Sequence, residues 1–498
     1  MKLLNASQIR EWDQYTIQDE PISSIDLMER AARACRDWIR RQFPTHSFDI
    51  FCCTGNNGGD GLAIARLLML MRIPVKVFIV NAAGKASRDF TTNLERLKAI
   101  PGANIIELTS GTFPPPPDPS AIIIDALLGT GINRPIEGFT GEIVSFINAQ
   151  SNKVIAIDMP SGLQSDTYSG TTPIIQANHT LTFQIFKLGL LMPCNAGHFG
   201  QVHVLDIGLA PAYLTTVESK YELTEKTLFA SFYKTRENYA HKGNFGHALI
   251  IAGSYGKMGA AVLSTKACLR SGAGLVTAHV PGKGVNIIQT SAPEAMCQTD
   301  PDGEMITTIQ YPLKSYSAIG IGPGTGTHPS TQKLLQHIFN SYSQPLVLDA
   351  DALNILSENK PWLNLLPENS IITPHPKEFS RLFGEQSNDF ERIETALEQA
   401  SHLKIIIILK GHRTFIATPA GKGYFNTTGN AGMATGGSGD VLTGLITGLL
   451  AQGYTAAEAA IMGVYLHGLA GDKAAAVYGM EAMIAGDLVK KLRFPAFE

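Results

Sequence analysis

The chain has 498 residues, of which 44% are hydrophobic and 17% are charged, and its formal net charge is −3. A chain of this length is too long to fold around one typical hydrophobic core, so two or three domains are expected. The hydrophobic content excludes a disordered chain. No block of like charge stands out in the sequence, so nothing marks a surface for nucleic acid or anionic lipid, and small-molecule chemistry is favoured.

The start of the chain and its cysteines predict a cytoplasmic protein. The segment MKLLNASQIREWDQ becomes polar too soon for the apolar region of a signal peptide. No stretch of the sequence approaches the roughly 18 uninterrupted apolar residues of a membrane span. The six cysteines show no C-x-x-C spacing, and we interpret them as reduced core thiols.

Short β-branched runs alternate with helical segments, which predicts doubly wound α/β sheets. The strands predicted in the first half are nearly continuous in hydrophobicity, which is typical of parallel strands buried on both faces. A buried helix is predicted at 62–72 and a stiff surface loop at 114–117. The predicted strands are 48–53, 75–80, 121–127, 154–160 and 202–208.

The segment TGNNGGDG (54–61) follows the first of these strands and leads into a helix. Such a turn lies at the ligand-binding edge of an α/β sheet, so phosphate or diphosphate binding is plausible there. The pattern is neither G-x-G-x-x-G nor a Walker A loop. Two further strands end in Asp125 with GTGINRP (129–135) and in Asp158 with Ser161. We therefore predict that three strand ends converge on one crevice.

The oxygen-bearing side chains at these strand ends indicate a cation site. Asn57, Asp125 and Ser161 offer hard oxygens with little net charge, which suits potassium better than zinc or calcium. Asp158 is then the carboxylate nearest the ligand and could move a proton, with Lys187 as its partner. The alternative is that these aspartates only cap loops, but their convergence argues against it.

The alternation restarts in the second half, and helices dominate after Gly439. The polar stretch 210–236 separates the halves, so domains 1–215 and 216–498 are predicted. Thr455 and Glu458 form a capping box, and Gly453 closes the preceding helix. The strands predicted here are 247–253, 275–280, 318–324, 345–351, 370–376 and 404–411.

Several loops that follow these strands predict a cleft for a nucleotide together with a second polar ligand. They are GSYGKMGAA (253–261), GPGTG (322–326), DADAL (349–353), TPHPKEF (373–379) and KGHRT (410–414). His375 could bind substrate or serve a structural role. His467 lies in an apolar helix and is interpreted as a core histidine.

The segment NAGMATGGSGDVLTG (430–444) is the most informative in the chain. Its glycines and the following helix start predict a phosphate cradle of backbone N–H groups. Asp440 would repel phosphate, so its place there makes sense if it accepts a proton from an attacking hydroxyl. The alternative is a glycine-rich loop whose aspartate merely favours the helix dipole.

Taken in order, these motifs resemble the bifunctional NAD(P)H-hydrate repair enzymes over almost the whole chain. NNGGDG, GTGINRP and DMPSG resemble the epimerase half of that family, which is Rossmann-like. GSYGKMGAA, LDADALN, TPHPKEF, KGHRT and GNAGMATGGSGDVLTG resemble its dehydratase half, which has a ribokinase-like fold. The resemblance therefore implies epimerisation of hydrated NADH and NADPH, followed by ADP-dependent dehydration.

The resemblance implies roles for individual residues. Asp440, Asp158 and Lys187 would be catalytic, and Asn57, Asp125 and Ser161 would hold potassium. The hydrate in the first half would contact Asn56, Asn57, Gly58, Gly59, Asp60, Gly129, Thr130, Gly131, Ile132, Asn133, Arg134, Pro135 and Asp158. In the second half it would contact Ala261, Gly324, His375 and Asp440. The nucleotide would contact Lys410, Gly411, His412, Arg413, Thr414, Asn430, Ala431, Gly432, Met433, Ala434, Thr435, Gly436, Gly437, Ser438 and Gly439.

The expected cofactors are potassium in the first half, Mg²⁺ in the second, and ADP as phosphate donor. The expected partners are the two hydrated cofactors and ADP, with no nucleic acid and no membrane, in a homo-oligomeric enzyme. Two other functions remain open on the sequence. One is a ribokinase-like kinase that leaves a stable phosphorylated product, and the other is a non-catalytic sensor whose first domain only binds a nucleotide.

Overall fold

A computed structural model describes residues 1–80, 85–132, 134–170 and 172–495. The chain forms two compact units. The amino-terminal unit consists of Lys2–Ser219 with Asn388–Phe390, and the carboxyl-terminal unit consists of Met1, Lys220–Ser387 and Glu391–Glu498. Among the described residues, no helix combines the length and apolar character that crossing a bilayer would require.

The amino-terminal unit alternates strands and helices. Its strands are β1 (Lys2–Leu3), β2 (Phe48–Cys52), β3 (Val75–Val80), β4 (Asn104–Leu108), β5 (Ile122–Ala126), β6 (Val154–Ile157), β7 (His179–Phe183) and β8 (Gln201–Leu205). Its helices are α1 (Ala6–Asp19), α2 (Ser24–Gln42), α3 (Asn56–Leu70), α4 (Arg88–Lys98), α5 (Gly138–Asn148), α6 (Ala196–Phe199) and α7 (Tyr213–Thr216).

The sheet of this unit is parallel, in the order β4-β3-β2-β5-β6-β7-β8. The strand order reverses between β2 and β5, so a crevice opens at the carboxyl ends of these two strands. The predicted parallel, doubly wound sheet is confirmed. β2, β5 and β6 are buried along their whole length, whereas β8 at the edge is largely half-buried or exposed.

The carboxyl-terminal unit is larger. Its strands are β9 (Tyr221–Thr224), β10 (His247–Ile251), β11 (Leu275–Val280), β12 (Met296–Thr299), β13 (Ala318–Ile321), β14 (Leu346–Leu348), β15 (Ile371–Ile372), β16 (Ile406–Leu409), β17 (Phe415–Ala417) and β18 (Gly423–Asn426). Its helices are α8 (Lys226–Phe232), α9 (Met258–Arg270), α10 (Val285–Ser291), α11 (Pro329–Ser341), α12 (Asp351–Glu358), α13 (Pro376–Phe383), α15 (Ser438–Ala451), α16 (Ala456–Tyr478) and α17 (Ala485–Lys491). Helix α14 (Asp389–Leu403) precedes β16.

The strands of this unit are ordered β9-β18-β17-β16-β15-β14-β13-β10-β11-β12. The pairs from β16 through β15, β14, β13, β10 and β11 to β12 are parallel, and β17 pairs antiparallel with β16 and β18. The order reverses between β10 and β13, which places the loops after these strands at the ligand-binding edge.

Two kinds of segment differ from the sequence-based expectation. Helix α3 begins at Asn56 and not near residue 62, because it packs so closely against β2 that a Cβ atom on Gly58 would lie 1.7 Å from the Cys53 carbonyl oxygen. Tertiary packing thus overrides the low helix propensity of glycine. Strands β1, β4, β7, β9, β12, β17 and β18 are not predicted. All of them except β17 contain polar residues that interrupt an apolar run, and β17 is apolar but only three residues long.

The local signals at helix ends agree with the structure. The Thr455 side chain accepts a hydrogen bond from the Glu458 N–H and completes the predicted capping box of α16. Gly453 adopts a φ of 82° just beyond the end of α15, as a closing glycine does.

Candidate active sites

The first candidate site lies at the crevice of the amino-terminal unit. Helix α3 begins directly after β2 with Gly55 as its N-cap, and no side chain caps it. The free N–H groups of such a first turn bind anions. Gly129 and Thr130 follow β5, and Asp158 follows β6, so all three strand ends meet here.

A buried ion pair is the chemical centre of this site. The Lys187 Nζ donates hydrogen bonds to Asp158 Oδ1 at 2.7 Å, Thr182 Oγ1 at 2.9 Å and the Phe183 carbonyl oxygen at 2.8 Å. Lys187 is only 1% exposed. The second carboxylate oxygen of Asp158 accepts the Thr130 N–H at 3.4 Å. A charged group is therefore held at the crevice with one oxygen turned toward the loop after β5.

The backbone at Asp158 supports a functional role. Its φ is 66°, in the left-handed region that a non-glycine residue seldom adopts. Its N–H donates to the Leu181 carbonyl oxygen at 2.8 Å, which fixes this conformation. Strain of this kind persists where the surrounding structure enforces it, and it is common at active sites.

Asn57, Asp125 and Ser161 form a set of oxygen donors beside the ion pair. The Ser161 Oγ donates to Asp125 Oδ1 at 2.6 Å, and the Ser161 N–H donates to Asp125 Oδ2 at 2.8 Å. The buried amide oxygen and nitrogen of Asn57 find no hydrogen-bond partner among the described residues. A Cβ atom on Gly129 would lie 3.3 Å from that amide oxygen, so the space around it is limited.

These donors fit a monovalent cation. An unpaired buried amide is costly unless a ligand satisfies it. Burial raises the pKa of Asp125 to about 6, although its hydrogen bonds from Ser161 oppose the rise. A bound cation would favour the ionised form.

Two further carboxylates belong to this charge cluster. Burial, and then the charge of Asp158, raise the pKa of Asp13 to about 6, while Lys187 opposes the rise. Burial raises the pKa of Asp60 well above its ordinary value, and the charges of Asp158 and Asp13 add to it. Neither Asp13 nor Asp60 accepts a hydrogen bond from a described residue. The crevice thus contains groups able to hold a proton near neutral pH.

The remaining predicted ligand contacts of this site stay predictions. Asn56 is exposed at the first turn of α3, whereas Gly58 and Gly59 are buried against Cys53 and Met28. These two glycines serve helix packing, and their contact with a ligand stays a prediction. Gly131, Ile132, Arg134 and Pro135 are exposed or half-buried on the loop after β5. Asn133 lies outside the described residues.

The second candidate site lies at the first turn of α15. Gly437 is its N-cap with a φ of 89°, and no side chain caps the helix. Asp440 lies in the first turn and accepts no hydrogen bond from a described residue. Burial, and then the charges of Asp349 and Asp351, raise the pKa of Asp440 to about 6, while Lys410 opposes the rise. A carboxylate with this pKa can accept a proton near neutral pH.

The aspartate that follows β14, Asp349, binds Lys410 beside α15. The Lys410 Nζ donates to Asp349 Oδ1 at 2.7 Å and lies 3.7 Å from Glu378 Oε2. The Thr443 Oγ1 donates to Asp349 Oδ2 at 2.8 Å. Burial works against ionisation of Asp349, but the Lys410 charge and hydrogen bond outweigh it and hold its pKa below the ordinary value.

The loops after β10 and β13 are joined at the same edge of the sheet. The Ser254 Oγ donates to the Gly324 carbonyl oxygen at 2.7 Å. Ala261 is fully buried, and a Cβ atom on Gly253 would lie 3.1 Å from it. The Nδ1 atom of His375 caps α13 by accepting the Lys377 N–H at 3.1 Å. Ala261 and His375 thus have structural roles, and their contact with substrate stays a prediction.

Hydrogen bonds from other parts of the carboxyl-terminal unit hold the loops that are predicted to bind the nucleotide. Asp472 accepts the Gly429 N–H and the Asn430 Nδ2, each at 2.9 Å. The Arg413 Nη1 donates to the Thr427 carbonyl oxygen at 3.1 Å. His467 is buried, burial lowers its pKa to about 4, and its Nε2 lies 2.9 Å from the Ser438 carbonyl oxygen. The interpretation of His467 as a core histidine is confirmed.

Sequence reasoning missed three of these groups. Asp13 comes from α1, far from any strand end, and no local pattern marks it. Asp349 stands in the DADAL motif directly after an apolar run, and this position at a strand end is the signal that could have identified it. Asp472 follows His467 in α16. An acidic residue in such an apolar helix could have indicated a hydrogen-bond acceptor for a neighbouring loop.

Two family models match the chain. Residues 248–493 match the model described as NAD(P)H-hydrate dehydratase. Residues 24–189 match the model described as YjeF-related protein N-terminus.

Relatives match over nearly the full length. The bifunctional NAD(P)H-hydrate repair enzyme of Moorella thermoacetica is 36% identical, over 99% of this chain and 96% of that protein. The enzyme of the same name from Coxiella burnetii is 34% identical over 98% of this chain and 97% of that protein. The one from Escherichia coli is 32% identical over 98% and 92%.

One solved structure among those that match is the ADP/ATP-dependent NAD(P)H-hydrate dehydratase from Bacillus subtilis, co-crystallised with ATP and Mg²⁺. It is 31% identical, covers 54% of this chain and 96% of its own, and has a TM-score of 0.48. Because the relatives above match end to end at more than 30% identity, the family is established. The chain belongs to the bifunctional NAD(P)H-hydrate repair enzymes.

Proposed function

We propose that this chain repairs hydrated NADH and NADPH in two steps. The amino-terminal unit interconverts the R and S hydrates, and the carboxyl-terminal unit dehydrates the S hydrate with ADP, which releases AMP and phosphate. The observation that carries the proposal is the Asp440 carboxylate, which has a pKa raised to about 6 and lies at a glycine-led helix start. Family membership supplies the substrate, and the site supplies the chemistry.

Dehydration needs a better leaving group than hydroxide. Asp440 takes the proton from the hydrate's hydroxyl group as that oxygen attacks the terminal phosphorus of ADP, and AMP departs. The N–H groups at the start of α15 stabilise the charge that develops on the phosphoryl oxygens. The ring nitrogen then expels phosphate, and loss of a proton from the neighbouring ring carbon completes the double bond of the dihydronicotinamide.

Epimerisation serves the epimer that a chiral dehydratase accepts poorly. The reacting carbon carries both the hydroxyl group and the ring nitrogen, so opening and reclosing this centre needs a group that gives and takes a proton. The Asp158 carboxylate is held by Lys187 at the crevice, with Asp13 and Asp60 nearby as further acids. We assign proton transfer to Asp158 and the positioning of its carboxylate to Lys187.

Two cations complete the proposed function. Asn57, Asp125 and Ser161 would hold potassium, which would fix the loop after β5 and supply a positive charge beside the hydrate. Mg²⁺ would enter with the phosphates of ADP, whose charge it neutralises. Lys410–Thr414 and Asn430–Gly439 would bind the nucleotide, and the hydrate would occupy the loops after β10 and β13. The oligomeric state and the cytoplasmic location stay predictions.

One incubation tests the function. Hydrated NADH is supplied with ADP or with ATP, and the absorbance of reduced nicotinamide is followed together with AMP, ADP and phosphate. Recovery of absorbance with equal amounts of AMP and phosphate from ADP is expected. A stable phosphorylated product without recovery would identify a kinase instead. Tight binding of the hydrate without faster epimer exchange than in buffer would identify a sensor.

The raised pKa of Asp440 predicts the pH dependence of dehydration. The base must be ionised, so kcat/KM for the hydrate should decline as the pH falls through about 6, approaching tenfold per pH unit below that point. The measurement is kcat/KM from about pH 5 to about pH 8 at constant ionic strength. A decline that begins only near the ordinary aspartate pKa of about 4 would remove Asp440 as the base.

The unpaired Asn57 amide predicts a specific effect on potassium. Replacing Asn57 by Ala should raise the potassium concentration needed for half-maximal epimer exchange by roughly 10- to 100-fold, since one bond to a charged group is lost. The exchange rate is measured against potassium concentration, with sodium or lithium keeping the ionic strength constant. The matched control is Asn56→Ala, which removes an exposed amide from the same turn and should change the KM for the hydrate only. An unchanged potassium dependence in the Asn57 variant would contradict the site.

A further inference from the structure

A buried carboxylate and an ammonium group adjoin the proposed base of the carboxyl-terminal unit. Asp349 is 1% exposed and binds both Lys410 and Thr443. Thr443 lies on α15, close to one turn beyond Asp440, so one hydrogen bond ties the end of β14 to the helix that carries the base. Asp349 therefore fixes two elements of the site at once.

The position of Lys410 makes it a competitor for Asp440. A Cβ atom on Gly439 would lie 3.3 Å from Asp349 Oδ2 and 3.6 Å from the Lys410 Nζ. Both charged groups therefore lie close to the residue that directly precedes Asp440. Only 23% of the Lys410 side chain is exposed, so a nearby carboxylate stabilises its ammonium group. A pair between Lys410 and Asp440 would occupy the lone pairs that must accept the substrate proton.

We propose that Asp349 is a positioning residue, which holds the Lys410 ammonium beside the first turn of α15 and keeps it from pairing with the Asp440 carboxylate. The lysine then remains available to the terminal phosphate of ADP, and Asp440 remains free to act as a base. This role of Asp349 rests on the proposed dehydration, and no sequence motif predicts it.

The charges around Asp440 come from several elements. Asp349 follows β14, Asp351 begins α12, and Lys410 follows β16. The Glu378 carboxylate on α13 lies 3.7 Å from the Lys410 Nζ, and the Lys257 Nζ lies 3.7 Å from the Asp351 carboxylate. His467 on α16 contacts Ser438, and its pKa of about 4 keeps it neutral near pH 7. Of these groups, only Asp349 directly binds the Lys410 ammonium at hydrogen-bond distance.

The test is a pH profile of dehydration in the full-length protein. Asp349→Asn removes a negative charge that raises the pKa of Asp440 and also releases Lys410 toward Asp440, so the acid limb of kcat/KM should move to lower pH by on the order of one unit. In a Lys410→Met background the same substitution has only the first effect, so its shift should be smaller there; an equal shift would overturn the proposal. The plateau rate should also fall, because a less basic carboxylate accepts a proton less readily. The matched control is Thr443→Val, which removes the other hydrogen bond to Asp349 but no charge. Its acid limb should coincide with that of the wild type.

Each outcome decides the proposal. An unmoved limb in a folded Asp349→Asn variant would overturn it, and so would an equal shift in Thr443→Val. If Asp349→Asn does not fold, a crystal structure of the wild-type chain with ADP decides instead. Lys410 within about 3.2 Å of Asp349 supports the proposal, and Lys410 paired with Asp440 overturns it. A wild-type chain that recovers no NADH would instead disprove the proposed function itself.

Discussion

The Asp440→Asn variant is expected to lose ADP-dependent dehydration by about 10²- to 10⁴-fold, as is typical for removal of a general base. Asparagine keeps the shape of the side chain but cannot take the proton from the attacking hydroxyl group. The glycine-led helix start and the nucleotide loops stay in place, because Asp440 accepts no hydrogen bond from a described residue. The loss should therefore appear in kcat, with little change in the KM for ADP.

The same variant should gain stability at neutral pH. The folded-state pKa of Asp440, about 6, lies above that of an unfolded aspartate, about 3.9. The folded chain therefore binds its proton more tightly, and stability falls as the pH rises from about 4 to about 6. Above about pH 6 the full cost of burying the ionised Asp440 carboxylate remains, and the Asp440→Asn substitution removes this cost. Each ~1 kcal/mol regained would raise the Tm of a domain of this size by roughly 2–4 °C.

The measurements are NADH recovery, thermal unfolding and epimer exchange on one preparation. Epimer exchange serves as the internal control, since it belongs to the other unit and should keep the wild-type rate. Near wild-type dehydration by Asp440→Asn would contradict the assigned base. A large loss of stability would instead mean that the carboxylate is structural, because a penalised, unbonded group should not stabilise the fold.

The parts of the fold that the sequence predicted share one physical basis. Parallel strands buried on both faces need continuous apolar runs, and their carboxyl ends share one edge of the sheet. Asn57, Asp125 and Asp158 were found because they lie at or just beyond the ends of such runs, whereas Asp440 was found from the glycine-rich segment that leads into α15. Strand β7 (HTLTF) is not predicted because its threonines interrupt the apolar run. The fold tolerates these polar residues because distant groups satisfy them: the Thr180 Oγ1 donates a hydrogen bond to the Phe199 carbonyl oxygen at 2.8 Å.

The partners of the site residues were less accessible to sequence reasoning. Lys410 was assigned to the nucleotide, but its bond to Asp349 joins residues 61 positions apart. No periodicity encodes such a pair, since it depends on which strands become neighbours in the sheet. Asp13 is a similar case, because a helix that precedes the sheet brings it to the crevice. Strand ends thus predict where a site lies, while the tertiary fold decides which charges surround it.

The second large effect is expected from Asp158→Asn, which should slow epimer exchange by about 10²- to 10⁴-fold and leave dehydration of the S hydrate intact. Repair of an epimer mixture should then stop after the S hydrate is consumed, and the remainder should convert only at the rate of exchange in buffer. Complete repair at the wild-type rate would remove Asp158 from the mechanism.

This substitution also breaks a buried ion pair, so stability must be separated from chemistry. Lys187 is 1% exposed, and removing its partner leaves a buried charge unpaired, which costs about 3–5 kcal/mol. The control is the double variant Asp158→Asn/Lys187→Met, in which no buried charge remains and most of that stability should return. If epimer exchange stays lost in the restored double variant, the carboxylate acts in the reaction. If exchange returns together with stability, Asp158 serves only to neutralise Lys187, and proton transfer belongs to another acid of the crevice, such as Asp13 or Asp60.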